Sequence, residues 1–195
     1  MKSIEFFFDL SSPYSYLAAT QLPAIAERTG ARIEWKPLVL FAVFKAAGND
    51  MPGRVANKAM YMVADLARWA AHYKIDFKMS SRFPQNTIAA ERLVLAGEDQ
   101  GRAAETALRC FRGMWVDDWD MNDAGVLRRL AEESGLNADL AMAAIETPAI
   151  KNRLRENTDR AIAKGAFGAP TLFVGDELFW GNDRLHFVED ALKRG

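Results

Sequence analysis

The sequence FFFDLSSPYSYL, residues 6–17, decides the fold, because it contains an apolar strand that stops and restarts as a helix. The run from Ile4 to Phe8 is rich in aromatic and β-branched residues, which suits a strand covered on both faces. Ser12 is a favoured helix N-cap and Pro13 a favoured first helical residue, and apolar residues then recur at helical spacing until Gly30. In an isolated Ser-Pro pair the serine would only cap the helix. A helix N-terminus after a buried strand, however, offers N–H groups and positive potential to an anion, which favours a functional site.

Composition restricts the function classes. The chain has 195 residues, 50% of them hydrophobic, and a formal net charge of −1. It can therefore bury a substantial core as one domain, or as a domain with a large insertion. Lys and Arg are spread among Asp and Glu, without the basic surface that binds nucleic acid or anionic membranes. Met1-Lys2 and the short run broken by Glu5 and Asp9 fit neither a signal peptide nor a membrane span. We expect a cytoplasmic protein with a small-molecule partner and no nucleic-acid or membrane partner.

Cysteine and histidine are scarce. The single cysteine, Cys110, rules out an intramolecular disulfide and a cysteine-rich metal site. It falls in the helical pattern of residues 103–114, which favours a buried structural cysteine over a reactive one. His72 and His186 fall in helical stretches, where surface or structural roles are favoured. No general base is therefore visible that would activate Ser12 as a nucleophile, and no metal site is predicted.

The order of predicted elements indicates an α/β fold with a split sheet. Residues 32–37 are expected to form a second strand, parallel to the first and joined to it by a right-handed crossover. The following 41–164 segment has a helical pattern without a convincing strand. Helices are predicted at 55–73, 87–95, 102–114, 124–133, 138–145 and 148–164, and a last one at about 183–193.

A hairpin is predicted after the segment GAFGAPT, residues 165–171. The short runs TLFV and ELFW flank Gly175-Asp176, which is a strong two-residue turn signal. A proline cannot donate within a ladder, so Pro170 belongs at the first residue of a strand or in a turn. Most X-Pro bonds are trans, and the sequence leaves open whether the bond before Pro170 is cis. The two distant ends of the chain would thus complete one sheet around a helical block.

Four motifs are specific in combination: SPYS at residues 12–15, KAAGN at 45–49, FGAPT at 167–171 and WGNDRL at 180–185. Together with the chain length they resemble the 2-hydroxychromene-2-carboxylate isomerases and the kappa-class glutathione transferases. Both groups are related to the periplasmic disulfide oxidoreductases of the DsbA type, in the thioredoxin-like superfamily. Those oxidoreductases carry Cys-x-x-Cys at the strand-to-helix junction. The present chain has hydroxyls at both sulfur positions, which excludes disulfide exchange.

The resemblance covers essentially the whole chain and implies its domain organisation and its cofactor. Residues 1–40 and 165–195 would form a discontinuous thioredoxin-like domain, and residues 41–164 a helical insertion domain. The cofactor would be glutathione, with Ser12 as the catalytic residue beside its sulfur. The implied cofactor-binding residues are Ser12, Pro13, Tyr14, Asn49, Ala169, Pro170, Asn182 and Asp183.

The resemblance also implies a substrate, a small aromatic carboxylate. The implied substrate-binding residues are Lys45, Arg54, Asn57, Phe83 and Trp180. Lys45 would bind the carboxylate, although a solvated surface lysine is the commoner fate of this residue type. The family habit further implies a homodimer.

The implied reaction is the glutathione-dependent interconversion of 2-hydroxychromene-2-carboxylate and trans-o-hydroxybenzylidenepyruvate in naphthalene-type catabolism. One alternative is a kappa-like transferase or peroxidase that consumes glutathione. Another is a module that binds a thiol without catalysis. Assays that distinguish catalytic from stoichiometric use of glutathione would separate these functions.

Overall fold

The computed structural model describes residues 2–194. These residues contain a four-stranded sheet and nine α-helices. The strands are β1 (Ser3–Phe8), β2 (Arg32–Pro37), β3 (Thr171–Val174) and β4 (Glu177–Trp180). The helices are α1 (Pro13–Thr29), α2 (Leu40–Ala47), α3 (Ala56–Tyr73), α4 (Ile88–Asp99), α5 (Ala103–Trp115), α6 (Ala124–Glu133), α7 (Ala138–Ala144), α8 (Pro148–Ala163) and α9 (Leu185–Arg194). Met1 and Gly195 lie outside the described residues. Met1 belongs to the N-terminal run that was expected not to be a signal peptide, and Gly195 to the expected thioredoxin-like domain.

The sheet has the order β2-β1-β3-β4. β1 pairs in parallel with β2, β3 is antiparallel to β1, and β4 is antiparallel to β3 across the turn at Gly175-Asp176. The predicted parallel pair, the hairpin and the completion of one sheet by distant chain segments are confirmed. The division of the chain into domains at residues 40/41 and 164/165 stays a prediction.

Both faces of β1 are buried. Phe6 and Phe8 are fully buried in the larger hydrophobic cluster, which includes side chains of α1, α4, α5 and α9. Phe7 lies on the opposite face and packs edge-on against Phe173 of β3, with ring centroids 5.8 Å apart. The expectation of a strand covered on both faces is confirmed, so the carboxyl end of β1 emerges between two layers of side chains. Within residues 2–194, no helix combines the length and the hydropathy needed to cross a bilayer.

The main difference from the sequence prediction is α2. Its eight residues, LFAVFKAA, are apolar almost all round, and a short apolar run has no periodicity that separates a helix from a strand. Val39 at its N-cap makes no side-chain cap hydrogen bond. Instead, the Leu40 N–H donates to Asp9 Oδ2 at 2.8 Å. The helix start thus depends on a residue 31 positions earlier, which local sequence reasoning does not reach.

Candidate functional site

The Ser12 hydroxyl lies where β1 ends and α1 begins, and it makes two hydrogen bonds. Its Oγ accepts from the Ser15 N–H at 3.1 Å, which confirms the predicted N-cap, and its hydroxyl donates to the Ala169 carbonyl at 3.0 Å. Ser12 is only 4% exposed. A helix cap needs only the first of these bonds. The second bond joins the turn before α1 to the loop before β3, 157 residues later.

The loop before β3 contains Ala169 and Pro170, and the peptide bond between them is cis. The carbonyls of the residues before and after Ala169 both accept hydrogen bonds. The Thr171 hydroxyl donates to the Gly168 carbonyl at 2.8 Å, and the Gly181 N–H donates to the Pro170 carbonyl at 3.0 Å. The predicted residues Ser12, Ala169 and Pro170 are therefore adjacent in space.

An exposed aromatic pair borders the same loop. The rings of Phe167 and Trp180 lie 5.1 Å apart, and Trp180 is 46% exposed. Gly168 leaves the room for this indole, because a Cβ at that position would lie 2.6 Å from the Trp180 Nε1. On the other side, the Asn49 side-chain amide donates to the Phe167 carbonyl at 3.1 Å. The segment that follows α2 and the end of β4 thus meet at one loop.

Asn182 and Asp183 follow β4 in a short 3-10 helix. Asn182 is buried, and its carbonyl accepts from the Tyr73 hydroxyl of α3 at 2.9 Å. The Tyr14 hydroxyl donates to Asp65 Oδ2 at 3.1 Å. Burial first, then the negative charge of Asp65 and, more weakly, that of Asp183 raise the pKa of Tyr14. Tyr14, two residues after Ser12, therefore lies within the electrostatic reach of both carboxylates.

The other four predicted substrate residues have no described contact with residues 9–12, the turn that carries Ser12 (the Ser12 turn). Lys45 is exposed in the last turn of α2, Arg54 forms an ion pair with Asp50 at 2.8 Å, and Asn57 is exposed in the first turn of α3. Phe83 is half-buried, and its ring centroid lies 5.8 Å from that of Trp115 in the helical core. Their substrate roles stay predictions.

Two predictions about cysteine and histidine are confirmed. Cys110 is fully buried, and burial raises the pKa of its thiol, as expected of a structural cysteine. His72 and His186 are both exposed. They line a cleft of about 280 Å³ that also borders Asn182 and Asp183.

The buried support beneath the Ser12 turn was missed by sequence reasoning. The Leu10 N–H donates to Glu91 Oε1 at 2.5 Å, and the Leu10 carbonyl accepts from Trp115 Nε1 at 2.9 Å. Asp9 Oδ1 accepts from the Ser11 N–H at 2.8 Å. The available signals were a carboxylate at the end of an apolar strand and Glu91 inside the apolar pattern IAAERLVLA. Each is an ionisable residue in a buried context, which is uncommon without a partner.

The chain is similar to known proteins over almost its whole length. A profile of the DsbA-like thioredoxin domain matches residues 3–193. The 2-hydroxychromene-2-carboxylate isomerase of Sphingobium xenophagum is 40% identical over 193 residues, 98% of this chain and 98% of that protein. Glutathione S-transferase kappa 1 of Homo sapiens is 27% identical over 208 residues, 98% of this chain and 91% of that protein. A solved structure of a 2-hydroxychromene-2-carboxylate isomerase has a TM-score of 0.91 and 29% identity, covering 98% of this chain and 95% of that one. The expected thioredoxin-like α/β fold with a helical insertion is confirmed.

Proposed function

Because the chain belongs to the 2-hydroxychromene-2-carboxylate isomerase and kappa-class glutathione transferase family of DsbA-like thioredoxin domains, we propose that it is a glutathione-dependent isomerase. It would interconvert 2-hydroxychromene-2-carboxylate and trans-o-hydroxybenzylidenepyruvate in the breakdown of naphthalene-type compounds. The observation that carries the proposal is the Ser12 hydroxyl, which lies at the N-terminus of α1 and 3.0 Å from the carbonyl before Pro170.

The groups around Ser12 suit a peptide thiol. An anionic sulfur needs donors, and the Tyr14 N–H has no acceptor among residues 2–194, while the helix end adds positive potential. Asp183 offers a carboxylate to an ammonium group, in competition with its present ion pair to Arg184. Between the sulfur position at Ser12 and the ammonium position at Asp183, Ala169 would offer its backbone groups to the peptide. We propose this set, with Pro13, Pro170, Asn49 and Asn182, as the glutathione-binding residues.

Glutathione, when bound, supplies a sulfur nucleophile that adds reversibly to the substrate and is released unchanged. The part of the chain is to keep that sulfur charged. The Ser12 hydroxyl donates a hydrogen bond to the Ala169 carbonyl in the present structure. With glutathione bound, it would instead donate that hydrogen bond to the sulfur and keep its own proton. The Ser15 N–H continues to donate to Ser12 Oγ, which strengthens the hydroxyl as a donor. Ser12 is not itself a nucleophile, because its described partners are an amide and a carbonyl rather than a base.

For the substrate carboxylate, we propose Lys45 as the main cationic contact. Lys45 forms no ion pair within residues 2–194, whereas Arg54 is already paired with Asp50. Trp180, with the neighbouring Phe167, would form an aromatic wall for a flat substrate. Asn57 and Phe83 complete the proposed substrate set.

The test combines binding with turnover. We expect isothermal titration to detect glutathione binding, and the chromene assay to show many turnovers per molecule of glutathione. Absence of detectable glutathione binding by the native chain would refute the cofactor assignment. The remaining expectations, a cytoplasmic location and a homodimer, are checked by cell fractionation and by the mass in light scattering.

A kappa-like transferase or peroxidase is the second candidate, favoured by the full-length match to the human kappa enzyme. A stabilised thiolate serves both chemistries. Stoichiometric conjugation of chlorodinitrobenzene, without chromene turnover, would favour the transferase. Glutathione binding without turnover of either substrate would favour a non-catalytic module.

Replacing Gly181 with alanine is expected to weaken glutathione binding and to lower stability. Gly181 has a φ of +97°, and an added Cβ would lie 2.5 Å from Asp183 Oδ1. Such a conformation costs about 1–3 kcal/mol for a residue with a side chain, and the clash displaces the carboxylate. Calorimetric titration and urea unfolding measure the two effects.

Gly175→Ala is the matched control. Gly175 also has a positive φ, +59°, but an added Cβ there meets nothing within 4 Å. This variant should lose stability without losing glutathione affinity. Equal loss of affinity in both variants would contradict the role of Asp183.

A further inference from the structure

Two carboxyl groups are buried beneath the turn that carries Ser12. Asp9 is 6% exposed and Glu91 is 1% exposed. No Lys or Arg within residues 2–194 forms an ion pair with either carboxyl group, and no cation is among the main influences on the pKa of either. Two charges in such a place would be strongly unfavourable, so at least one of the two carboxyl groups is expected to be neutral.

The hydrogen bonds favour Asp9 over Glu91 as the charged member of the pair. Asp9 accepts from the Ser11 N–H at 2.8 Å, the Ser11 hydroxyl at 2.6 Å, the Leu40 N–H at 2.8 Å and the Thr87 hydroxyl at 3.3 Å. Four donors are a suitable environment for a carboxylate. Glu91 accepts only from the Leu10 N–H through Oε1, while its Oε2 is buried without any partner. An unpartnered oxygen fits a neutral carboxyl group much better than a charged one.

Burial, and then the negative charge of Asp9, raise the pKa of Glu91 well above its ordinary value. Burial raises the pKa of Asp9 as well, but the hydrogen bonds from Ser11, Leu40 and Thr87 oppose that rise and favour the charged form of this carboxyl. The titratable groups that face Glu91 from other elements are Asp9 at the end of β1 and Cys110 of α5. Neither can neutralise a charged Glu91. The Thr87 hydroxyl makes its one donated hydrogen bond to Asp9 Oδ1 at 3.3 Å, and it lies close to Glu91.

We propose that Glu91 stays protonated at neutral pH and acts with Asp9 as a positioning pair, which holds residues 9–12 so that the Ser12 hydroxyl points at the sulfur site. Asp9 joins this turn to α2 and to Thr87 before α4, and Glu91 fixes the Leu10 amide from within α4. Loss of the Glu91 proton places a second charge beside Asp9. That charge is relieved only when the turn opens to water.

The first test concerns the proton alone and does not depend on the proposed function. Glu91→Gln keeps an acceptor for the Leu10 N–H and replaces the protonated oxygen with a neutral amide donor. We expect an infrared difference spectrum, native chain minus Glu91→Gln at neutral pH, to contain the carbonyl band of a protonated carboxyl group. A difference spectrum with only carboxylate bands would overturn the proposal.

Stability gives a second measurement with a defined sign. The folded pKa of Glu91 lies above the unfolded value near 4.5, so the folded chain keeps a proton that the unfolded chain has lost. Stability therefore falls as pH rises through this window, by about tenfold in the unfolding constant per pH unit. In Glu91→Gln this contribution is absent. The unfolding constant of the native chain, divided by that of Glu91→Gln, should therefore rise with pH until Glu91 ionises in the folded chain. Glu105→Gln, at an exposed position of α5, should follow the native chain.

The positioning role itself rests on the proposed function and is tested through the pH profile of glutathione affinity and turnover. Glu91→Gln should match the native chain at neutral pH and retain its activity to higher pH, whereas Glu91→Ala should be impaired throughout. Identical alkaline profiles for the native chain and Glu91→Gln would overturn the positioning role. If the native chain binds no glutathione, the proposed function fails, while the infrared and stability results still decide the protonation of Glu91.

Discussion

Replacing Ser12 with alanine is expected to lower chromene turnover at neutral pH by about 10- to 150-fold, because a hydrogen bond to a charged group contributes about 1.5–3 kcal/mol. The Ser12 hydroxyl is the side-chain donor at the N-terminus of α1. Without it, only the helix end and the Tyr14 N–H remain to stabilise a thiolate at that position. The helix end alone contributes about 0.3–1 kcal/mol.

The same change should raise the pKa of the bound glutathione thiol by about one to two units. A free thiol of this type has a pKa near 8.5 and is largely protonated at neutral pH, as expected for cysteine. Ultraviolet titration of the bound thiolate measures the pKa directly. This readout separates a loss of thiolate from a general loss of activity.

Ser15→Ala is the matched control, because Ser15 Oγ is buried and has no hydrogen-bond partner in the described structure. Its removal should leave turnover, thiol pKa and stability nearly unchanged. Ser12→Ala also loses the cap bond to the Ser15 N–H, which costs about 1 kcal/mol of stability. A fully active Ser12→Ala protein, or equal losses in both variants, would contradict the assigned role of Ser12.

The sequence predicted those parts of the fold whose signals are local. Ser12 and Pro13 mark the start of α1, Gly30 ends it, and Gly175-Asp176 forms the turn between β3 and β4. The start of α2 was missed because its first amide is satisfied by Asp9, across the gap between two elements. A cap supplied by a distant residue leaves no trace in the neighbouring sequence.

The candidate site was predictable to a different extent. Nothing local in the sequence joins Ser12 to Ala169, and only the resemblance to a known family placed them together before the structure did so. The support formed by Asp9 and Glu91 was not foreseen by either route. Both residues read as interruptions of apolar patterns, and their meaning depends on which donors the folded chain directs at them.

The largest loss of stability is expected for Trp115→Ala, which should lower the free energy of unfolding by about 3–5 kcal/mol. The side chain is fully buried, packs against Phe77 and Phe83, and donates from Nε1 to the Leu10 carbonyl at 2.9 Å. A single domain is stable by only about 5–15 kcal/mol, so this one change removes a large share. Urea unfolding followed by circular dichroism measures it.

Trp115→Phe separates packing from the hydrogen bond. The smaller ring keeps much of the apolar contact but leaves the Leu10 carbonyl without its described partner, at a cost of about 1–3 kcal/mol. Trp180→Ala, at a half-exposed ring, should cost about 1 kcal/mol or less. Because Leu10 lies two residues before Ser12, Trp115→Phe should also weaken glutathione binding while the chain remains folded. An unchanged affinity would show that the Ser12 turn keeps its geometry without the anchor at the Leu10 carbonyl, and would leave Asp9 and Glu91 as its support.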